Sequence, residues 1–103
     1  MKLGPQVLFC STLMLSGCRE VMTVNLPPNF HGGVLISCGS GGKVDLSVDI
    51  DTGGLGTADA CPKKPIRLQI IREGEQVKPL ASDPPIWNET SDGQLSGVEF
   101  AVP

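Results

Sequence analysis

Apolar and polar residues alternate along most of this chain with a period of two, which is typical of β-strands lying on a core. The clearest case is the segment 43–50, where Val44, Leu46, Val48 and Ile50 fall on one side and polar residues on the other. The turn-rich stretch 51–59 leaves room for a short strand at 55–58. Similar patterns predict further strands at 21–26, 33–38, 66–72, 76–79, 86–90 and 98–102.

Glycine and proline punctuate these segments and argue against helices. The chain has 13 Gly and 9 Pro among 103 residues, and both residue types destabilise helix interiors. Strands repeating every 8 to 12 residues or so, with turns between them, are typical of a sandwich or barrel. The pattern therefore predicts an all-β fold, a small antiparallel β-sandwich of the immunoglobulin or transthyretin type. The residues Glu73-Gly74-Glu75 predict a hairpin turn into the strand at 76–79. Pro79 should confine that strand to a sheet edge, because proline lacks an N–H to donate.

The first eighteen residues differ from the rest and have the three parts of an export signal. Lys2 provides a positive start, an apolar stretch follows at 7–15, and Ser16 and Gly17 precede Cys18. The apolar stretch is shorter than the roughly 20 residues that a transmembrane helix needs. It therefore predicts a signal peptide and not a permanent membrane span.

The residues Leu15-Ser16-Gly17-Cys18 resemble the lipobox of bacterial lipoproteins. The resemblance covers residues 1–18 only and identifies no family for the remainder. It implies that 1–17 is a signal peptide, that the thiol of Cys18 carries lipid, and that 18–103 is an envelope domain anchored to a membrane. Arg19, in place of an aspartate, favours the outer membrane. The alternative is an ordinary signal peptide cut nearby, with Cys18 left as a thiol.

With Cys10 inside the signal and Cys18 carrying lipid, Cys38 and Cys61 form the natural disulfide pair in an oxidising compartment. Such a bond closes a loop of roughly 20 residues and stabilises the fold by on the order of 3 kcal/mol. Structural zinc is disfavoured, because the chain has no Cys-x-x-Cys pair and His31 is its one histidine. We expect no metal and no cofactor.

The charge balance disfavours nucleic acid as a partner. The chain has 8 Lys+Arg and 11 Asp+Glu, a net charge of −3, and its one short basic cluster is Lys63-Lys64. Nucleic-acid binding normally begins from a larger basic patch.

The most specific enzyme-like motif is Asp51-Thr52-Gly53, which resembles the Asp-Thr-Gly of aspartic proteases. The flanking Asp49 and Gly54 depart from that family's pattern, and a turn made of turn-forming residues is the favoured interpretation. Calcium coordination by Asp49, Asp51 and Asp59 is a weaker alternative.

Together these features predict a lipid-anchored, non-enzymatic protein of the cell envelope, acting as a small binding or structural module. Its expected partners are the membrane, through lipid on Cys18, and an envelope protein or cell-wall component. Alternatives are an inhibitor of a lysozyme-type hydrolase and, less favoured, an aspartic protease-like enzyme using Asp51.

Overall fold

A computed structural model describes residues 20–44 and 46–103, and this part of the chain contains eight β-strands and no helix. The predicted all-β class is thus confirmed. Within the same residues, no helix is long and apolar enough to cross a membrane. The strands are β1 (Val21–Leu26), β2 (Gly32–Cys38), β3 (Ser47–Asp49), β4 (Leu55–Ala58), β5 (Arg67–Arg72), β6 (Glu75–Val77), β7 (Ile86–Glu89) and β8 (Leu95–Val102).

The strands form two sheets of four. Sheet A has the order β3-β1-β5-β6 and sheet B the order β4-β2-β8-β7. Both sheets are mixed: β1 is parallel to β3 and to β5, and β2 is parallel to β4. The pairs β2–β8, β5–β6 and β7–β8 are antiparallel. The prediction of antiparallel sheets is therefore wrong for half of the pairings.

The parallel pairs arise because the chain changes sheet at each step from β1 to β4. Parallel neighbours need a long crossover connection, and here strands of the opposite sheet supply it: β2 connects β1 to β3, and β3 connects β2 to β4. The step from β4 to β5 changes sheet once more and places β5 beside β1. Evenly spaced strands with turns between them fit this alternation as well as they fit a series of hairpins. Strand spacing alone therefore did not reveal the partners.

One hydrophobic cluster receives side chains from both sheets. Met22, Val24 and Ile70 of sheet A and Ile36 and Val98 of sheet B are almost wholly buried. Partly buried residues pack against this cluster and include Ile66, Leu68 and Trp87. Burial of apolar area is the main stabilising term for a chain of this kind.

The segment 43–50 is the largest departure from the predicted strands. Only Ser47–Asp49 forms a strand, and Val44 and Leu46 are 38% and 40% exposed. The reason is the register with β1, in which Ser47 pairs with Thr23. Residues before 45 therefore lie beyond the start of β1, where that strand offers no partner. The alternation of apolar and polar residues shows which face of a segment is apolar, but the segment forms a strand only where a neighbouring strand can pair with it.

Hairpins join two of the three antiparallel pairs, β5–β6 and β7–β8. In the β5–β6 turn, Glu73 and Gly74 both have positive φ, 55° and 82°, as a type I′ turn requires. This is the hairpin that the sequence predicted, and β6 lies at the edge of sheet A as Pro79 indicated. Arg72 at the end of β5 donates from Nη1 to the backbone oxygens of Phe30 and Pro103, both at 2.7 Å.

Candidate functional site

The predicted disulfide pair is joined. Cys38 and Cys61 are bonded with their Cα atoms 5.2 Å apart. The bond connects the end of β2 to the segment that follows β4, and Gly39 N–H donates to the Ala58 carbonyl at 2.8 Å beside it. The disulfide therefore fixes one end of sheet B, where the edge strand β4 lies against β2.

The predicted lipid-attachment residue, Cys18, lies outside the described residues, as does the whole predicted signal peptide. The described chain starts at Glu20, and β1 begins at the next residue. Few residues therefore separate the predicted anchor from the first strand of sheet A.

Asp51 has a clear local role at the turn before β4. Its Oδ1 accepts hydrogen bonds from the backbone N–H of Gly53 at 2.9 Å and of Leu55 at 3.0 Å. Its own N–H donates to the Leu55 carbonyl at 2.9 Å. An aspartate that bonds the backbone two residues on is a standard turn-former, so the residues Asp51-Thr52-Gly53 have the geometry of a turn.

The other acidic candidates lie apart. Asp49 accepts a hydrogen bond from Asn25 Nδ2 at 3.0 Å on the outer face of sheet A. Across residues 20–44 and 46–103, no three side chains of His, Cys, Asp or Glu are grouped so that they could hold a metal ion. His31 is exposed in the connection between β1 and β2.

The outer face of sheet B carries a feature that the sequence reasoning missed. Leu35 pairs with Leu55 on one side and with Glu99 on the other, and Glu99 pairs with Ile86. These four residues form a continuous line across all four strands. Leu35 is 41%, Leu55 54% and Ile86 56% exposed. We call this line the aliphatic row.

A surface groove of about 570 Å³ follows the aliphatic row. Leu80, itself 36% exposed, adds a further apolar side chain to its lining. Gly33 and Gly54 also line it, and a Cβ on Gly54 would lie 2.3 Å from the Gly33 carbonyl oxygen. Gly54 also has a φ of 87°, which L-residues with side chains rarely adopt. The groove thus depends on glycine for its close backbone packing.

A signal for the aliphatic row was present in the sequence. Val34, Leu35 and Ile36 are consecutive apolar residues, which places an apolar side chain on both faces of β2. Leu55 and Ile86 carry no such signal alone. Their alignment with Leu35 depends on sheet registers that the spacing of strands does not fix.

A second groove lies at the end of sheet A where the described chain starts. Its volume is about 700 Å³, and Lys63, Lys64 and Arg67 are exposed along it. Arg67 pairs with Val21, the first residue of β1. The remaining lining residues are Glu20, Val44, Pro62, Pro65 and Ile66. We call this region the basic groove.

One carboxyl group has a shifted pKa, and it lies in the β7–β8 turn. A hydrogen bond from the Thr90 hydroxyl lowers the pKa of Asp92, and backbone N–H donors of the turn act in the same direction. Hydrogen bonds to the charged form of a carboxyl favour that form. The side chain is fully exposed, so this shift is a property of the turn and not of a buried site.

No protein-family model, curated protein or solved structure matches the chain. The aliphatic row, the basic groove and the disulfide are therefore interpreted from their own chemistry.

Proposed function

We propose that this chain is a lipid-anchored, non-enzymatic protein of the cell envelope that binds another envelope protein through the aliphatic row. The observation that carries the proposal is the row itself. Leu35 and Leu55 are large aliphatic side chains on neighbouring strands, and Ile86 lies in the same line on the far side of Glu99. All three are exposed by about half. Apolar surface that is contiguous and bordered by polar groups is typical of protein interaction sites.

The geometry of the row suits binding. Its side chains stand on hydrogen-bonded strands, so a partner would have little backbone to order, and ordering of flexible segments is a main cost of association. Glu99 lies between the apolar members and accepts a hydrogen bond from Asn88 Nδ2 at 3.1 Å. A charged group held in this way favours one orientation of the bound partner, while burial of apolar area makes the contact favourable.

The proposed anchor rests on the lipobox resemblance at 15–18. Each methylene that enters a membrane contributes about 0.8 kcal/mol, so two or three acyl chains would hold the domain at the envelope almost permanently. The outer membrane is the proposed location, on the basis of Arg19. Concentration at a membrane would allow even a small apolar contact to be occupied.

We also propose that sheets A and B are the two layers of a β-sandwich. The shared hydrophobic cluster supports this arrangement, because side chains of both sheets meet in it. The immunoglobulin or transthyretin type stays a prediction. A sandwich of either type would have to contain the parallel pairs β1–β3, β1–β5 and β2–β4.

Intact mass tests the anchor. The protein purified from bacterial membranes should have the mass of residues 18–103 plus acyl chains, and reduction should add about two daltons for the Cys38–Cys61 bond. An unlipidated or unprocessed mass would overturn the proposed anchor. A Cys18→Ser variant should carry no acyl chains and should keep its signal peptide, so that its mass is that of the unprocessed chain.

Photocrosslinking tests the row. A photoreactive residue placed at 55 or 86 in living bacteria should give one reproducible adduct with an envelope protein. The matched control is the same residue at position 25, which lies on the outer face of sheet A. The same adducts in equal yield from positions 25 and 55 would contradict binding through the aliphatic row. Adducts with cell-wall fragments would show that the partner is a cell-wall component and not a protein.

A further inference from the structure

We infer that the basic groove rests on anionic phospholipid headgroups and thereby orients the domain on its membrane. This inference depends on the proposed lipid at Cys18. It adds a second membrane contact, made by Lys63, Lys64 and Arg67, to the covalent anchor.

The position of the groove is the first argument. Glu20 lines it, and Arg67 pairs directly with Val21. A chain extends by at most about 3.5 Å per residue, so the three steps from Cys18 to Val21 reach no more than roughly 10 Å. A lipid on Cys18 would therefore hold the groove within about one Debye length of the headgroups at physiological ionic strength.

The charge of the groove is the second argument. Three cationic side chains line it against one carboxylate, Glu20, although the chain as a whole has a net charge of −3. Clusters of Lys and Arg close to a membrane anchor are attracted by anionic lipids. Lys63 and Lys64 stand between Pro62 and Pro65, whose rings fix their own φ angles and so restrict the backbone that carries the two lysines.

The opposite end of β5 is the third argument. Arg67 begins this strand, and Arg72 ends it next to the turn that carries Glu73 and Glu75. Five strand steps of about 3.3 Å separate the two ends by roughly 17 Å. The cationic end thus lies at the predicted anchor and the acidic turn lies away from it. An anionic surface would attract the first and repel the second.

Apolar side chains in the groove complete the contact. Val44 is 38% exposed at its border, and Pro62, Pro65 and Ile66 line it as well. Cationic side chains beside apolar ones are suited to the interface of a bilayer, where the charged tips contact headgroups and apolar atoms leave water. Val44 is also the residue whose exposure the strand pattern failed to predict.

Lysine labelling tests the inference on the full protein purified from bacterial membranes. It is reconstituted into phosphatidylcholine vesicles with or without phosphatidylglycerol, and a water-soluble amine reagent is applied. We expect labelling of Lys63 and Lys64 to slow by about fivefold when phosphatidylglycerol is present, since attraction of one lysine to such a surface corresponds to roughly that factor. Labelling of Lys78 should not change, and high salt should remove the difference.

Charge-matched variants sharpen the test. Arg67→Gln should reduce the protection of Lys63 and Lys64, whereas Lys78→Gln, which removes the same charge elsewhere, should leave it intact. The intact mass of each sample reports lipid on Cys18 independently. Equal labelling in both vesicle types on a lipidated protein would overturn this inference while leaving the proposed anchor standing.

The remaining outcomes assign the groove differently. An unlipidated mass would overturn the anchor and the inference together. Protection by inorganic phosphate in phosphatidylcholine vesicles would indicate a free anion site, and protection in neutral detergent would indicate cover by protein. Either result would contradict the headgroup contact.

Discussion

The two sheets have outer faces of opposite character at corresponding places. A line of partners crosses sheet A from Asp49 through Asn25 and Ile71 to Gln76. Asn25 Nδ2 donates to Asp49 at 3.0 Å and to Ser47 at 3.3 Å, so neighbouring strands are joined through polar side chains. The corresponding line across sheet B is the aliphatic row.

The contrast shows two uses of a sheet face that does not pack against the hydrophobic core. The line across sheet A, which is polar at every position except Ile71, is compatible with water and adds side-chain hydrogen bonds between strands. The aliphatic row exposes apolar area that water disfavours, so it adds little to the folded chain alone. A covering partner would turn that exposed area into binding energy.

Removal of the disulfide should have the largest effect and should affect the two sheets differently, because the bond lies at one end of sheet B. Replacing Cys38 and Cys61 together by serine should lower the free energy of unfolding by about 3.5 kcal/mol through loss of the closed loop. Urea unfolding measures the loss. Hydrogen exchange should rise first in β4, which carries Leu55, and least in β1. Equal acceleration in both sheets would contradict the assigned role at one end of sheet B.

The glycine beneath the groove should have the next largest effect. Gly54→Ala should destabilise the protein by about 2 to 3 kcal/mol, since its Cβ would clash with the Gly33 carbonyl oxygen and its φ is positive. Gly93→Ala is the matched control. Gly93 has nearly the same φ, 86°, but open space around it, so about 1 kcal/mol is expected. Equal losses in the two variants would show that packing at Gly54 contributes nothing.

Single substitutions within the two lines should separate stability from binding. Asn25→Ala removes side-chain hydrogen bonds to Ser47 and Asp49 and should cost about 1 kcal/mol. Leu35→Thr keeps a residue that favours strands and should change stability by less than about 0.5 kcal/mol. It should nevertheless weaken the crosslink made from position 55. Thermal unfolding compares the two variants, and a larger loss for Leu35→Thr would make the row a folding element.

The smallest effect concerns the turn that leads from β7 to β8. The folded pKa of Asp92 is lowered from its ordinary 3.8, so its stabilising contribution is present above that pH and is lost as pH falls through the lowered value. Asp92→Asn should therefore flatten the acid limb of stability against pH. Thr90→Ala should do the same, because the Thr90 hydroxyl is the main cause of the shift. Urea unfolding at several acidic pH values measures how the free energy of unfolding changes with pH. The same acid limb in both variants as in the original protein would contradict the assigned role of Asp92.

Local features of the fold were predictable because their causes are local. The first strand has the predicted bounds, Val21–Leu26, and the short strand Leu55–Ala58 lies where room was left for it. The Glu73-Gly74 turn and the Cys38–Cys61 bond are also confirmed. In each case, the residues concerned carry their own constraint: β-branched side chains, positive φ, or the two thiols that the predicted signal peptide and lipid attachment leave available for pairing.

Features that depend on distant partners were not predictable in this way. Val44 and Leu46 alternate with polar residues yet lie outside β3. The register with Thr23 places Val44 beyond the start of β1, and Leu46 keeps a backbone hydrogen bond from Thr23 N–H without joining the strand. The aliphatic row was missed for the same reason, since Leu35 and Leu55 meet only through a parallel pairing. The basic groove required the pairing of Arg67 with Val21, although Lys63-Lys64 was visible in the sequence.

The pairings between strands that are distant in sequence also determine when the domain can fold. The hairpins β5–β6 and β7–β8 join neighbouring segments and can form within microseconds. Strand β1, by contrast, gains its β5 partner only after residues 67–72 have been synthesised, and β2 waits for β8 near the end of the chain. Folds dominated by such distant pairings form slowly. The nascent chain would therefore stay unfolded for longer, which is compatible with the proposed export, because a chain is translocated before its sheets close.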